Sequence, residues 1–204
     1  CGITNLEDAL TCIRYGVDFL GFNFYPGSPR YIPPEDAKKI IGRLPFYIQT
    51  VGILVRPDFE KIWEIVRNSG VSAVQIYEPE GAIDFTKIPV PAILGLRIET
   101  QIKKIARTGN VTMVLVDSFS CKQFGGTGKT FDWHMIPENI LTEKLILAGG
   151  IHAENIGDAL NEINPAVIDV ASGSEKSPGV KDPQKIKKMM QIITEHNLEA
   201  IQNE

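Results

Sequence analysis

The sequence predicts an α/β fold of the (β/α)8 TIM-barrel class, on three observations. Its apolar segments are short, continuous and rich in β-branched residues, the pattern of strands buried on both faces. Between them lie longer stretches with apolar residues at helical spacing, and strands joined by helices make a parallel sheet with right-handed crossovers. Seven such strands and the tail of an eighth fit into 204 residues, the small end of the size range of this barrel. An open doubly wound sheet, the rival architecture, calls for a G-x-G-x-x-G turn after an early strand, and none is present.

In chain order, residues 1–3 read as the tail of the first barrel strand, which is truncated in this chain, and LEDALTCIRYG as the first helix. DFLGFNF (residues 18–24) is the second strand, followed by a loop and a helix over about 34–44. IQTVGILV (48–55) and the helical FEKIWEIVRNSG come next, then AVQIY, AILGLRI and VTMVLVD as strands, with QIKKIARTG as the helix between the last two. LILAGG and VIDVASG close the series, separated by ENIGDALNEI and followed by the helix PQKIKKMMQIITEH. The reading is one barrel domain over residues 1–204.

Composition narrows the function classes. A hydrophobic fraction of 43% and a charged fraction of 23% are those of a soluble globular protein. The formal net charge of −4, with no run of basic residues, argues against a nucleic-acid surface, and Lys187-Lys188 reads as solvated. No segment is apolar over ~18 residues, so no membrane span is expected. Three cysteines, Cys1, Cys12 and Cys121, show no paired spacing and fit a reducing cytoplasm. His134, His152 and His196 show no metal-ligand spacing, and no metal is expected.

FGGTGKTFDW imitates a nucleotide-binding loop, but G-x-x-x-x-G-K-[ST] requires a glycine where Gln123 stands. In a barrel, chemistry sits on loops at the C-terminal ends of the strands. Those ends carry Cys1, Asn23, Arg30 in the loop beyond, Val55, Tyr77, Arg97, Asp117, Gly149 with Gly150, and Asp169 with Ser172 and Gly173. The connection over 118–130 is the longest, and its polar, glycine-rich composition reads as a lid.

CGIT followed by LEDA, GFNFYPGSPRY, VDSFSCKQFGGTGKTFDW, LAGGI and DVASGSEKSPGVKDP stand in this order, each on the expected strand. Together they resemble the phosphoribosylanthranilate isomerase family of tryptophan biosynthesis, from Cys1 to about Ile186. The resemblance implies a cytoplasmic, cofactor-free monomeric or homodimeric barrel acting on a small phosphoribosyl substrate. The implied reaction is the Amadori rearrangement of N-(5′-phosphoribosyl)anthranilate to 1-(2-carboxyphenylamino)-1-deoxyribulose 5-phosphate. It assigns Cys1 as general base, Asp117 as general acid and Arg30 as the grip on the anthranilate carboxylate. The Ser-Pro before Arg30 sets an extended entry that aims it inward. Phosphate is expected on the N–H groups of Gly149, Gly150, Ser172 and Gly173, beside the last strands. Gly126 then belongs to a loop against the substrate, and Asp169 either holds the sugar or amine or pairs within the barrel. A related phosphosugar aldose–ketose isomerase, or a degenerate phosphate-binding barrel without turnover, are the alternatives.

Taken singly, Cys12 reads as helix packing, Cys121 as a bystander, His152 as a cap for the helix it precedes, and Trp133 as packing under the lid. The family's Gln-Leu-His-Gly is replaced by Gln75, Ile76, Tyr77 and Glu78, and Ala171 and Ser174 stand where serine and valine are commoner. The family also carries a few residues before the catalytic cysteine, which is residue 1 here.

Overall fold

Two of the helices begin where a polar side chain closes an open N–H group. In α1 (Leu6–Arg14), Asn5 accepts from the Asp8 N–H at 2.8 Å. In α3 (Phe59–Ser69), Asp58 accepts from the Lys61 N–H at 2.7 Å, and Gly70, at φ 75°, ends it. Between them, α2 (Pro34–Ile41) starts on proline, which needs no partner in a first turn. The sequence carries α2 on to residue 44, but the Arg43 and Leu44 N–H groups bond three residues back, tightening the chain before Pro45.

In the computed structural model, residues 1–78, 83–97, 111–117, 133, 136 and 142–202 are described. The strands are β1 (Phe19–Asn23), β2 (Gln49–Val55), β3 (Ala73–Tyr77), β4 (Ala92–Arg97), β5 (Met113–Asp117), β6 (Leu145–Ala148) and β7 (Val167–Ile168). Their central residues are buried throughout, as continuous apolar runs require. They form one parallel sheet in strict chain order from β1 to β7, without the reversal of a doubly wound sheet. Two further helices, α4 (Ile156–Ile163) and α5 (Pro183–Gln202), a small antiparallel hairpin, β8 (Glu175–Ser177) with β9 (Val180–Lys181), and short 3₁₀ turns accompany the sheet among the described residues.

Residues 1–3 make no strand ladder, yet they occupy the place of the first barrel strand. The Ile3 N–H donates to the Gly21 carbonyl of β1 at 2.9 Å, and the Cys1 nitrogen donates to the Val170 carbonyl beyond β7 at 3.0 Å. The segment therefore spans the gap between the two ends of the sheet. The expected last strand is shorter than VIDVASG, because the chain turns into a single 3₁₀ turn over Ser172–Ser174. The QIKKIARTG helix, Cys121 and the whole 118–130 connection, Gly126 included, lie outside the described residues. Cys12 is buried in the core beside Ala9 and Leu20, and burial pushes its thiol up, as a packing role requires. Trp133 packs with Leu147, Ile151 and Met189.

Candidate active site

Parallel register sets the strand ends level with one another. Tyr77 pairs with Val55, Arg97 with Asp117, and Asp117 with Ala148. The Tyr77 ring lies flat over Gly95, where a Cβ would meet the ring at 2.5 Å, so the neighbouring strand must be bare there. Its hydroxyl accepts from Gln75 Nε2 at 3.0 Å. Burial pushes the phenol well above its ordinary value, and the negative charges of Asp117 and Asp169 add to that. Both carboxylates thus act on the same phenol at the mouth of the sheet.

Cys1 stands beside them. Its Sγ lies over Gly21 of β1, 3.1 Å from where a Cβ on that glycine would be, so the glycine makes the room for the thiol. The Asp169 carboxylate is 3.8 Å from the Cys1 nitrogen, which brings Asp169 beside Cys1.

The glycine turns after β6 and β7 meet. Gly149 and Gly150 hold φ of 87° and 67°, a backbone only glycine takes without strain. Asn155 braces this turn, accepting from the His152 N–H at 2.8 Å and donating to the Gly150 carbonyl at 3.0 Å. Gly173 approaches so closely that a Cβ would sit 2.0 Å from the Ile151 carbonyl oxygen. The two turns thus abut backbone to backbone. His152 is engaged locally, its Nδ1 accepting from the Glu154 N–H at 3.3 Å; α4 has Asn155 at its N-cap and, among the described residues, no side chain closes its N–H groups, so His152 is not the expected cap.

Arg30 is held by a buried partner rather than by a surface carboxylate. Its Nε lies 2.9 Å and 3.0 Å from the two oxygens of Glu175, and its Nη2 donates to Oε2 at 2.6 Å. The Glu175 side chain is 3% exposed and that of Lys181 1%. Lys181 Nζ donates to Glu175 Oε1 at 3.2 Å, to Ser174 Oγ at 3.1 Å and to the Cys1 carbonyl. Burial alone would raise the Glu175 carboxyl; the hydrogen bond from Arg30 and the charges of Lys181 and Arg30 outweigh it and hold the group below its ordinary value. Sequence reasoning assigned no role to Glu175 or Lys181. Their opposite charges on either side of the Ser-Pro-Gly turn were the available signal.

CGIT is part of the same assembly. Thr4 Oγ1 donates to the Gly179 carbonyl at 2.6 Å, and the Gly179 N–H donates to Glu175 Oε1 at 3.2 Å. At the rim, Arg56 and Glu78 hold left-handed φ of 50° and 46°. For a non-glycine residue such as Glu78 this backbone costs ~1 kcal/mol or more. The Glu78 carboxylate meets Arg56 Nε at 3.0 Å and Arg97 Nη1 at 3.2 Å.

Of the residues singled out by the sequence, Cys1, Asp117, Asp169, Arg30, Gly149, Gly150, Ser172 and Gly173 all lie at this end of the sheet. Gly126 lies outside the described residues.

Comparison with known proteins points the same way. The sequence model of the family described as N-(5′-phosphoribosyl)anthranilate (PRA) isomerase matches residues 1–192. The N-(5′-phosphoribosyl)anthranilate isomerase of Nitrosomonas eutropha is 38% identical over 198 residues, covering 95% of this chain and 94% of its own. The crystal structure of phosphoribosyl anthranilate isomerase from Thermotoga maritima is similar with a TM-score of 0.85 at 36% identity, covering 96% of this chain and 97% of its own. A crystal structure of the isomerase in complex with reduced 1-(o-carboxyphenylamino)-1-deoxyribulose 5-phosphate is similar with a TM-score of 0.81 at 34% identity, covering 96% of each chain.

Proposed function

The chain belongs to the N-(5′-phosphoribosyl)anthranilate isomerase family and catalyses its Amadori rearrangement in tryptophan biosynthesis, and from that premise we propose the residues that carry the chemistry. Asp117 is the general acid. It protonates the ribose ring oxygen, the furanose opens, and the nitrogen lone pair forms the C1′ iminium. Cys1 is the general base. Its thiolate removes the C2′ proton, the electron pair forms the enolamine, and tautomerisation to the C2′ ketone completes the isomerisation. Acid and base in one site are worth ~10²–10⁴-fold each.

The observation that carries this reading is the convergence of Cys1, Asp117 and Asp169 at the mouth of the sheet beside the abutting Gly149–Gly150 and Ser172–Gly173 turns. The turns take the phosphate through their N–H groups, Arg30 takes the anthranilate carboxylate, and Gly126 serves as a substrate-binding residue. Asp169 holds the ribose or the amine. The Tyr77 hydroxyl offers a proton to the same ligand without ionising, as its raised pKa supports. The whole chain, residues 1–204, works as one cytoplasmic barrel domain, as a monomer or homodimer. Among the described residues, no helix is long and apolar enough to cross a membrane.

The test follows the anthranilate-type fluorescence of freshly prepared phosphoribosylanthranilate, with Cys1→Ala and Asp117→Asn beside the parent chain. Turnover by the parent and a loss of at least ~100-fold in each variant is the expected result. Turnover unchanged in either variant removes that residue from its role. Binding without turnover by the parent marks a phosphate-binding barrel.

A further inference from the structure

We propose that Glu175 and Lys181 are positioning residues of this site, a buried carboxylate–ammonium pair that presents Arg30 to the substrate carboxylate and fixes it relative to Cys1 and the phosphate turn. This rests on the reading of Arg30 as the carboxylate grip.

A guanidinium has five N–H donors arranged along two usable edges. Glu175 occupies the Nε–Nη2 edge of Arg30. That leaves the end-on Nη1–Nη2 edge, and among the described residues nothing accepts from Nη1. An edge of this shape matches a carboxylate in two-pronged fashion. Glu175 therefore sets which edge faces the site.

Lys181 locks the arrangement. Its three ammonium hydrogens reach Glu175, the Ser174 hydroxyl and the Cys1 carbonyl, so one charge touches the partner of the carboxylate grip, the phosphate turn and the residue bearing the base. The hairpin brings this about: Glu175 and Lys181 are antiparallel partners across the turn, and Gly179 at φ 80° makes the turn possible. With Arg30 and Lys181 positive and Glu175 negative, the cluster carries a net charge of +1. That charge faces a substrate bearing a phosphate and a carboxylate. A staple for the hairpin alone would need Glu175 and Lys181 but not Arg30, and it would not leave a guanidinium edge open.

A double-mutant cycle decides between these roles. Arg30→Ala, Glu175→Gln and the pair are compared by steady-state kinetics on phosphoribosylanthranilate, with thermal melting to record the fold. Expected is a rise in KM of about tenfold for each single variant, with Glu175→Gln changing KM less than about twofold once Arg30 is gone, since coupled residues do not add. Glu175→Asp, which keeps the charge at shorter reach, should restore part of the KM loss and remains as the probe if the glutamine variant does not fold. A Glu175→Gln effect that is equally large without Arg30 overturns the proposal, as does an unchanged KM in Glu175→Gln. An unchanged KM in Arg30→Ala instead overturns the reading of Arg30 itself, and the two failures are told apart by that variant alone.

Discussion

Gly2 lies beneath Arg30: a Cβ at Gly2 would come within 2.6 Å of Arg30 Cδ and 3.2 Å of Glu175 Oε1, and Gly2 holds φ 80°. The glycine of CGIT is thus the floor on which the arginine of SPR rests. Gly2→Ala should displace Arg30 and strain the backbone, lowering stability by about 1–3 kcal/mol. KM should rise with it, because the guanidinium is lifted from its seat. Kinetics and thermal melting on one preparation check this, and a lower melting temperature with unchanged KM would show that Arg30 does not meet the substrate.

The buried Glu175 makes the fold acid-labile in a defined window. Its folded pKa is held below the ordinary glutamate value of about 4.5, so its contribution to stability is fully present above that value. As pH falls through the folded pKa, the carboxylate is protonated and the contribution is lost. Urea midpoints measured between neutral pH and about pH 3 should fall for the parent. Glu175→Gln should start lower and lack that part of the slope; parallel curves for the two proteins would contradict the assignment.

Tyr77 should stay neutral wherever the enzyme works. Its folded pKa lies above the ordinary value of 10, so it lends stability up to about pH 10, and that is lost as pH rises beyond. Tyr77→Phe should therefore leave the inflections of the pH–rate profile between pH 5 and about 9 in place, while flattening the alkaline loss of stability. A shifted inflection would mean that the phenol titrates during turnover.

Gly173→Ala sets a methyl group 2.0 Å from the Ile151 carbonyl, backbone against backbone, so the two glycine turns must part. Inhibition by inorganic phosphate should weaken by at least about tenfold, a loss of ~1.4 kcal/mol or more. Phosphate inhibition that is unaffected in a folded variant places the anion elsewhere.

Strand ends were readable in the residues because each strand is a continuous apolar run that stops at a polar or glycine residue, as at Tyr77, Asp117 and Gly149. The chemistry of those ends followed from the barrel rule and from motifs that name their residues. Glu175 and Lys181 escaped because ion pairing across a hairpin depends on an antiparallel register containing an irregularity, which spacing along the chain does not reveal. The left-handed backbone at Glu78 escaped for a related reason: a non-glycine residue gives no sign of positive φ, and the departure from the family's glycine reads as a change of side chain alone. The ending of VIDVASG as a strand after Ile168 reflects the 3₁₀ turn over Ser172–Ser174, which composition along the chain does not announce.

The three residues that bridge β1 and the chain beyond β7 also carry the proposed base. Cylinder closure and placement of the base are therefore one event, joined through the backbone hydrogen bonds to Gly21 and to Val170. An opening at that seam unseats the thiol while the seven-stranded sheet remains paired. Mild denaturant then titrates activity ahead of bulk structure, and amide exchange at Ile3 sets the ceiling on how long each molecule stays competent.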